Sequence, residues 1–135
     1  MLYTHVIVGY AAVLLITRDP WLALFGGLGA SLPDIDIFFK HRFTFHNLFF
    51  VFLVFGTSLI SYISLQALYI ALGALLHICC DSFTYAPVGL FYPYSKRGFY
   101  LNLASNRTKQ FFIDSCFFAF GTIVTNAFFF YVIPH

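Results

Sequence analysis

Charge is scarce in this chain: 9% of its 135 residues are Asp, Glu, Lys or Arg, against about 25% in an ordinary globular domain. It also lacks any basic run, its seven Lys and Arg being scattered and its formal net charge only +2, so a nucleic-acid tract is excluded. Cysteine is sparse too. Cys79 and Cys80 are adjacent and Cys116 stands alone, which fits neither a disulfide framework nor a CxxC zinc pattern, so packing roles are expected. No Lys or Arg precedes the first apolar stretch, as a cleaved signal peptide would require, and the first cation is Arg18.

What fills the chain instead is apolar: 61% hydrophobic residues, twenty Phe and a mean hydropathy of +0.86. A chain this small cannot hide so much apolar surface in a core, so the excess is expected to face lipid. The expected fold is all-α, a single multipass membrane domain of about five short spans over residues 2–17, 20–33, 46–63, 66–81 and 110–132, with a loop over 82–109. At "TRDPW" Asp19 is placed to cap a new helix whose first turn holds Pro20. Pro33 ends the second segment, and Gly26, Gly27 and Gly29 within it allow a neighbouring helix to approach closely. From Phe43 to Cys80, 38 residues carry no Lys, Arg, Asp or Glu, enough for about two crossings of a 30 Å hydrocarbon layer and hence a hairpin turning near "SYISLQ".

This alternation puts Lys40, Arg42, Lys96, Arg97, Arg107 and Lys109 on one side and Arg18 on the other. The positive-inside rule makes the richer side, which also holds the N-terminus, cytoplasmic, and the protein one of the cell membrane. The same side collects His5, Asp34, Asp36, His41, His46, His77 and Asp81 from four separate segments, seven of the ten His and Asp residues of the chain. His77 and Asp81 are four apart and share a helix face; Asp34 and Asp36, if extended, point the same way; His41 and His46 converge only across a turn. Three neighbouring carboxylates repel one another, and a divalent cation offsets that repulsion while accepting neutral imidazoles. Mixed nitrogen and oxygen donors without thiolate suit Zn²⁺ first, then Mn²⁺ or Fe²⁺, as one ion or two.

These residues fall in motifs. Thr4, His5 and Gly9, "LPDIDI" from Leu32, "HRFTFHN" from His41, "HICCDSFT" from His77 and "PYSKR" from Pro93 resemble the membrane-bound metal-dependent hydrolases of bacteria and archaea, best known through an inner-membrane protein under SOS control. The match runs from residue 1 to about 101 and departs from the family pattern at Phe43, Thr44 and Asn47. The resemblance implies a hydrolase with a metal. On this reading His5, Asp34, Asp36, His41, His46, His77 and Asp81 are metal ligands, Asp36 and His41 serve catalysis, and Arg42, or Arg97 and Arg107, orient an anionic substrate. The expected reaction is hydrolysis of a phosphoester or other ester of a lipid or lipid-linked molecule at the cytoplasmic face. The alternative is a metal-binding sensor, transporter or structural site without chemistry. A transporter fits less well, because no candidate lies near the membrane midplane.

Overall fold

Helices follow the apolar segments. The computed structural model describes residues 2–38, 42–60, 64–103, 115–116, 118–124 and 126–127. Over these, α1 spans Leu2–Thr17, α2 Pro20–Ser31, α3 Leu48–Ile60 and α4 Ser64–Ser82, with a 3-10 helix at Pro33–Phe38. The described residues between 115 and 127 are also helical, and the described residues contain no strand, only an isolated antiparallel bridge between Val88 and Phe99.

The expectation of an all-α chain holds: helices occupy the first four expected segments and the described residues of the fifth. Among the described residues one helix, over Leu65–Ser82, is long and apolar enough to cross a membrane; α1 and the apolar part of α3, Leu48–Thr57, are shorter. Much of the fifth segment, 110–132, lies outside the described residues, as do Lys40, His41, Asn106, Arg107, Lys109 and Asp114.

Asp19 caps α2 as its sequence predicts. Its Oδ1 accepts hydrogen bonds from the Trp21 and Leu22 amides at 2.8 and 3.4 Å, and Pro20 takes the first helical position. With only Arg18 and Asp19 between them, α1 and α2 form a hairpin, and α4 packs against α1, α2 and α3. Glycine makes these contacts close. A Cβ on Gly9 would lie 2.5 Å from the Gly26 carbonyl oxygen, and one on Gly73 would strike the same carbonyl and lie 2.7 Å from the Ala30 nitrogen. Gly29 meets the Ile70 backbone in the same way. Ala23, Ala30 and Ala74 are wholly buried beside them, so α1, α2 and α4 approach backbone to backbone.

The segment after α4 is ordered by its backbone rather than by a helix. Val88 and Phe99 exchange both amide bonds, at 2.9 and 2.8 Å, while the Leu101 and Leu103 amides donate to the Ser82 and Phe83 carbonyls. Val88 itself is fully buried against Val51, Ala74 and Ile78. Gly89 N donates to Arg42 O at 2.8 Å and Leu48 N to Leu90 O at 3.0 Å, which fixes this segment over the start of α3. On the outside Phe52, Leu53, Leu59 and Ile60 are exposed on α3, and Trp21, Leu24 and Leu28 on α2. That distribution is the reverse of a water-facing surface.

Candidate metal centre

Chain direction gathers the site. The start of α1 brings His5, the end of α2 leads into Asp34 and Asp36, the turn before α3 carries His46, and the last turns of α4 carry His77 and Asp81. The helices alternate in direction, so all four contributions meet at one end of the bundle. His5, Asp36, His46, His77 and Asp81 are buried there, and the Asp34 side chain is 19% exposed.

Asp34 and Asp36 are not extended. The residue after Pro33 enters a 3-10 helix, begun by the Ile35 amide donating to Leu32 O at 3.1 Å, and at three residues per turn positions two apart face different ways. Both aspartates nevertheless reach His46, from opposite sides of its ring. Asp36 Oδ2 lies 2.9 Å from Nδ1, and Asp34 Oδ1 lies 3.7 Å from Nε2.

The ring tautomers follow from these partners. His46 Nδ1 faces a carboxylate oxygen and His77 Nδ1 faces the Ala30 carbonyl oxygen at 2.6 Å, both acceptors, so each Nδ1 carries a hydrogen. In the neutral rings both Nε2 atoms are then lone pairs, and they stand 2.9 Å apart. Two lone pairs at that separation repel unless a cation lies between them. Around the same point, His46 Nε2 is 3.4 Å from Asp81 Oδ2, while His77 Nε2 is 3.6 Å from Asp34 Oδ1 and 3.8 Å from Asp81 Oδ2. A tetrahedral ion with nitrogen and oxygen ligands at about 2.1 Å holds its donors about 3.4 Å apart, close to the separations of the two imidazole nitrogens from these carboxylate oxygens. Asp34, His46 and His77 form one group that could hold a metal ion, and His5, His77 and Asp81 another.

Of the three carboxylates, Asp81 is bonded by the Arg42 guanidinium, while Asp36 and Asp34 lie against His46. Asp81 also lies in the last turn of α4, where the helix dipole disfavours a carboxylate. Arg42 offsets this: its Nη2 lies 3.3 Å from Asp81 Oδ1, and its Nη1 donates to Thr84 Oγ1 at 3.1 Å and to Ala86 O at 3.0 Å. His5 Nε2 approaches the same Asp81 oxygen at 3.3 Å, and its ring stacks on His77 with centroids 3.9 Å apart. The His5 Nδ1 and Thr4 Oγ1 atoms are buried without a hydrogen-bond partner.

His46 lies outside the helices, and its pKa is raised. Burial, the largest influence, opposes its protonation, but the Asp81 and Asp36 carboxylates together outweigh burial. A proton on Nε2 thus occupies the place that the geometry offers a cation.

The structure therefore brings together His5, Asp34, Asp36, His46, His77 and Asp81, with Arg42 bonded to Asp81; His41 lies outside the described residues. Three participants left no clear sequence signal. The Ala30 carbonyl is backbone, Thr84 enters through Arg42, and Asn47 caps α3, its Oδ1 accepting from Phe50 N at 2.7 Å while its Nδ2 donates to Phe43 O and Thr44 O. Thr84 and Asn47 end the family-like "HICCDSFT" and "HRFTFHN", which mark their positions without giving their roles.

Because Asp36 holds the remote nitrogen of His46, Asp36→Asn should weaken divalent-metal binding about 10- to 100-fold, as loss of such an outer partner does. Competition against a chromophoric chelator measures this; unchanged affinity would remove Asp36 from the site.

Fold and site together define an all-helical protein with a buried His/Asp cluster able to hold a metal ion. The chain belongs to the YdjM inner membrane protein family, whose model matches residues 1–133. No curated protein and no solved structure matches it.

Proposed function

We propose that the protein is a multipass inner-membrane hydrolase that uses one divalent ion, Zn²⁺ by donor chemistry, to cleave a phosphoester of a lipid or lipid-linked molecule at the cytoplasmic face. The observation that carries this reading is the pair of opposed Nε2 atoms, 2.9 Å apart, whose Nδ1 atoms are both committed to acceptors. His46, His77, Asp34 and Asp81 would hold the ion. Arg42 argues for one ion rather than two, since its guanidinium already neutralises the Asp81 oxygen that a second ion beside His5 would need. When bound, such an ion lowers the pKa of water and neutralises charge on phosphoryl oxygens.

The remaining residues divide the work. Asp36 and Ala30 orient the two imidazoles. Asp81 Oδ1 accepts from His5 Nε2, which leaves the lone pair on the buried, unpartnered His5 Nδ1 able to take a proton, so His5 is the general base in this scheme. Arg42 is held by Asp81, Thr84 and Ala86 and supports the site from behind. Sidedness follows from charge. Arg42 and the segment bearing Lys96 and Arg97 lie at the site end of the bundle, and Arg18 lies at the other, between α1 and α2.

The test is turnover by the purified chain in lipid nanodiscs, offered phosphoester lipids and carboxylic esters. Phosphoester cleavage should stop on chelation and return with zinc. His5→Gln should keep the ion yet lower kcat about 10²- to 10⁴-fold. Cleavage that survives both chelation and His46→Ala would remove the site from the reaction. A protein that binds zinc and turns over none of these substrates would be a metal-binding membrane protein instead.

A further inference from the structure

An apolar groove runs along the outside of α1 and α2. A cavity of about 520 Å³ lies between α1, α2 and the described helical residues at 115–127, and Val6, Gly27 and Ser31 contribute to its lining. A second, of about 400 Å³, continues it and shares Tyr10 and Ile123, ending at Arg18 and Asn126. From Val6 to Arg18 the groove follows α1 for about 18 Å.

Its upper rim is tied to the site by the chain itself. Val6 follows His5, and Ser31 follows Ala30, whose carbonyl holds His77. Consecutive Cα atoms are about 3.8 Å apart, so the rim begins one residue from the metal centre on two helices. Size limits the occupant. A partner helix about 10 Å across and 18 Å long displaces roughly 1,400 Å³, more than both cavities together, whereas small apolar ligands take about 300–1,000 Å³. A narrow, extended, apolar volume in an inner-membrane protein fits a hydrocarbon chain.

We propose that this groove takes one acyl chain of a membrane phospholipid and so presents the lipid's head-group phosphoester to the His5, Asp34, His46, His77 and Asp81 cluster. The inference rests on the hydrolase reading for its chemistry and on the groove alone for its binding. Gly27 keeps the groove open: a Cβ there would meet Val6 at an ordinary 3.4 Å, so a longer side chain is accepted at its root and fills the space beyond.

The experiment uses the full chain in phospholipid nanodiscs doped with a phospholipid that carries a diazirine on its acyl chain, with labelled peptides mapped by mass spectrometry. Labelling should concentrate on Leu24, Leu28 and Ile123 of the groove over Phe52 and Leu59 of α3, which are more exposed. Gly27→Leu should lower groove labelling about tenfold while zinc per chain stays unchanged. Equal labelling of groove and α3 in the unsubstituted protein would overturn the proposal, whether or not the variant folds. No turnover is needed for this readout. Labelling in the groove without hydrolysis would therefore refute the reaction alone, and hydrolysis without groove labelling would refute the acyl site alone.

Discussion

Alanine at His46 or His77 should strip the protein of its ion, lowering divalent-metal affinity by more than the roughly 100-fold that loss of an outer-shell partner costs. Each residue supplies one of the two opposed Nε2 atoms, and the survivor would have lost the partner across 2.9 Å. Asp34 and Asp81 remain in the variant as two carboxylates with one imidazole, a weaker and less selective set. Titration by calorimetry, or zinc retained through size exclusion, reads the effect, and His5→Gln in parallel should retain zinc. A His77→Ala protein that held zinc as the unsubstituted chain does would place the ion elsewhere.

Acid should oppose binding in the same measurement. The carboxylates raise the pKa of His46 in the metal-free site, so the stability it contributes there is present below its ordinary pKa and is lost as pH rises through the raised one. The ion must displace that proton. Below the raised pKa, affinity should therefore fall by about tenfold for each pH unit, and one proton should be released for each ion bound.

Gly73→Val should unfold the bundle or leave it about 3 kcal/mol or more less stable, at the upper end for overpacking, because the atoms in the way are backbone. The new Cβ would strike the Gly26 carbonyl and the Ala30 nitrogen, neither of which can turn aside as a side chain can. Forcing α4 from α2 also draws His77 from the Ala30 carbonyl, so the fraction that still folds should bind zinc weakly. Gly56→Val is the control. Nothing lies within 4 Å of a Cβ at Gly56, so this exchange on α3 should change stability by less than about 0.5 kcal/mol. Chemical denaturation of both variants in mild detergent gives the comparison; a Gly73→Val protein as stable as the control would mean that α2 and α4 do not touch there.

Much of this site is legible from spacing. Prolines at 20 and 33 and the uncharged run to Cys80 set alternating helices, and once the helices alternate, His5, Asp34, His46, His77 and Asp81 must fall at one end. The capping role of Asp19 is equally local, since it depends on the next three residues. Other features depend on contacts between distant segments. Asp34 and Asp36 look like a pair that points one way, but the turn after Pro33 winds them into a 3-10 helix and assigns them different nitrogens of one ring. Arg42 looks like a substrate or head-group contact from its position in a basic loop; its bonds to Asp81, Thr84 and Ala86, 39 to 44 residues away, come only from the fold. The Ala30 carbonyl could not be read at all, because every residue but proline carries the same peptide donor and acceptor. Close packing at Gly26 and Gly29 was expected; their partners, Gly9 with Gly73 and Ile70, emerge only from the fold.

Departures from the family pattern find a physical account in part. Asn47, one of the departing positions, caps its helix as a serine would, with an amide that also ties down the turn holding His46. Phe43, another, packs its ring edge-on against Tyr92 and covers Gly89, in the segment that folds over α3.

The most direct measurement is X-ray absorption at the zinc edge on the purified, zinc-loaded chain in nanodiscs. The account predicts one zinc per chain with four nitrogen or oxygen ligands at about 2.0–2.2 Å, two of them imidazoles, and no neighbouring metal. A metal neighbour at about 3.5–4 Å, a sulfur ligand at about 2.3 Å, or no stoichiometric zinc would contradict it.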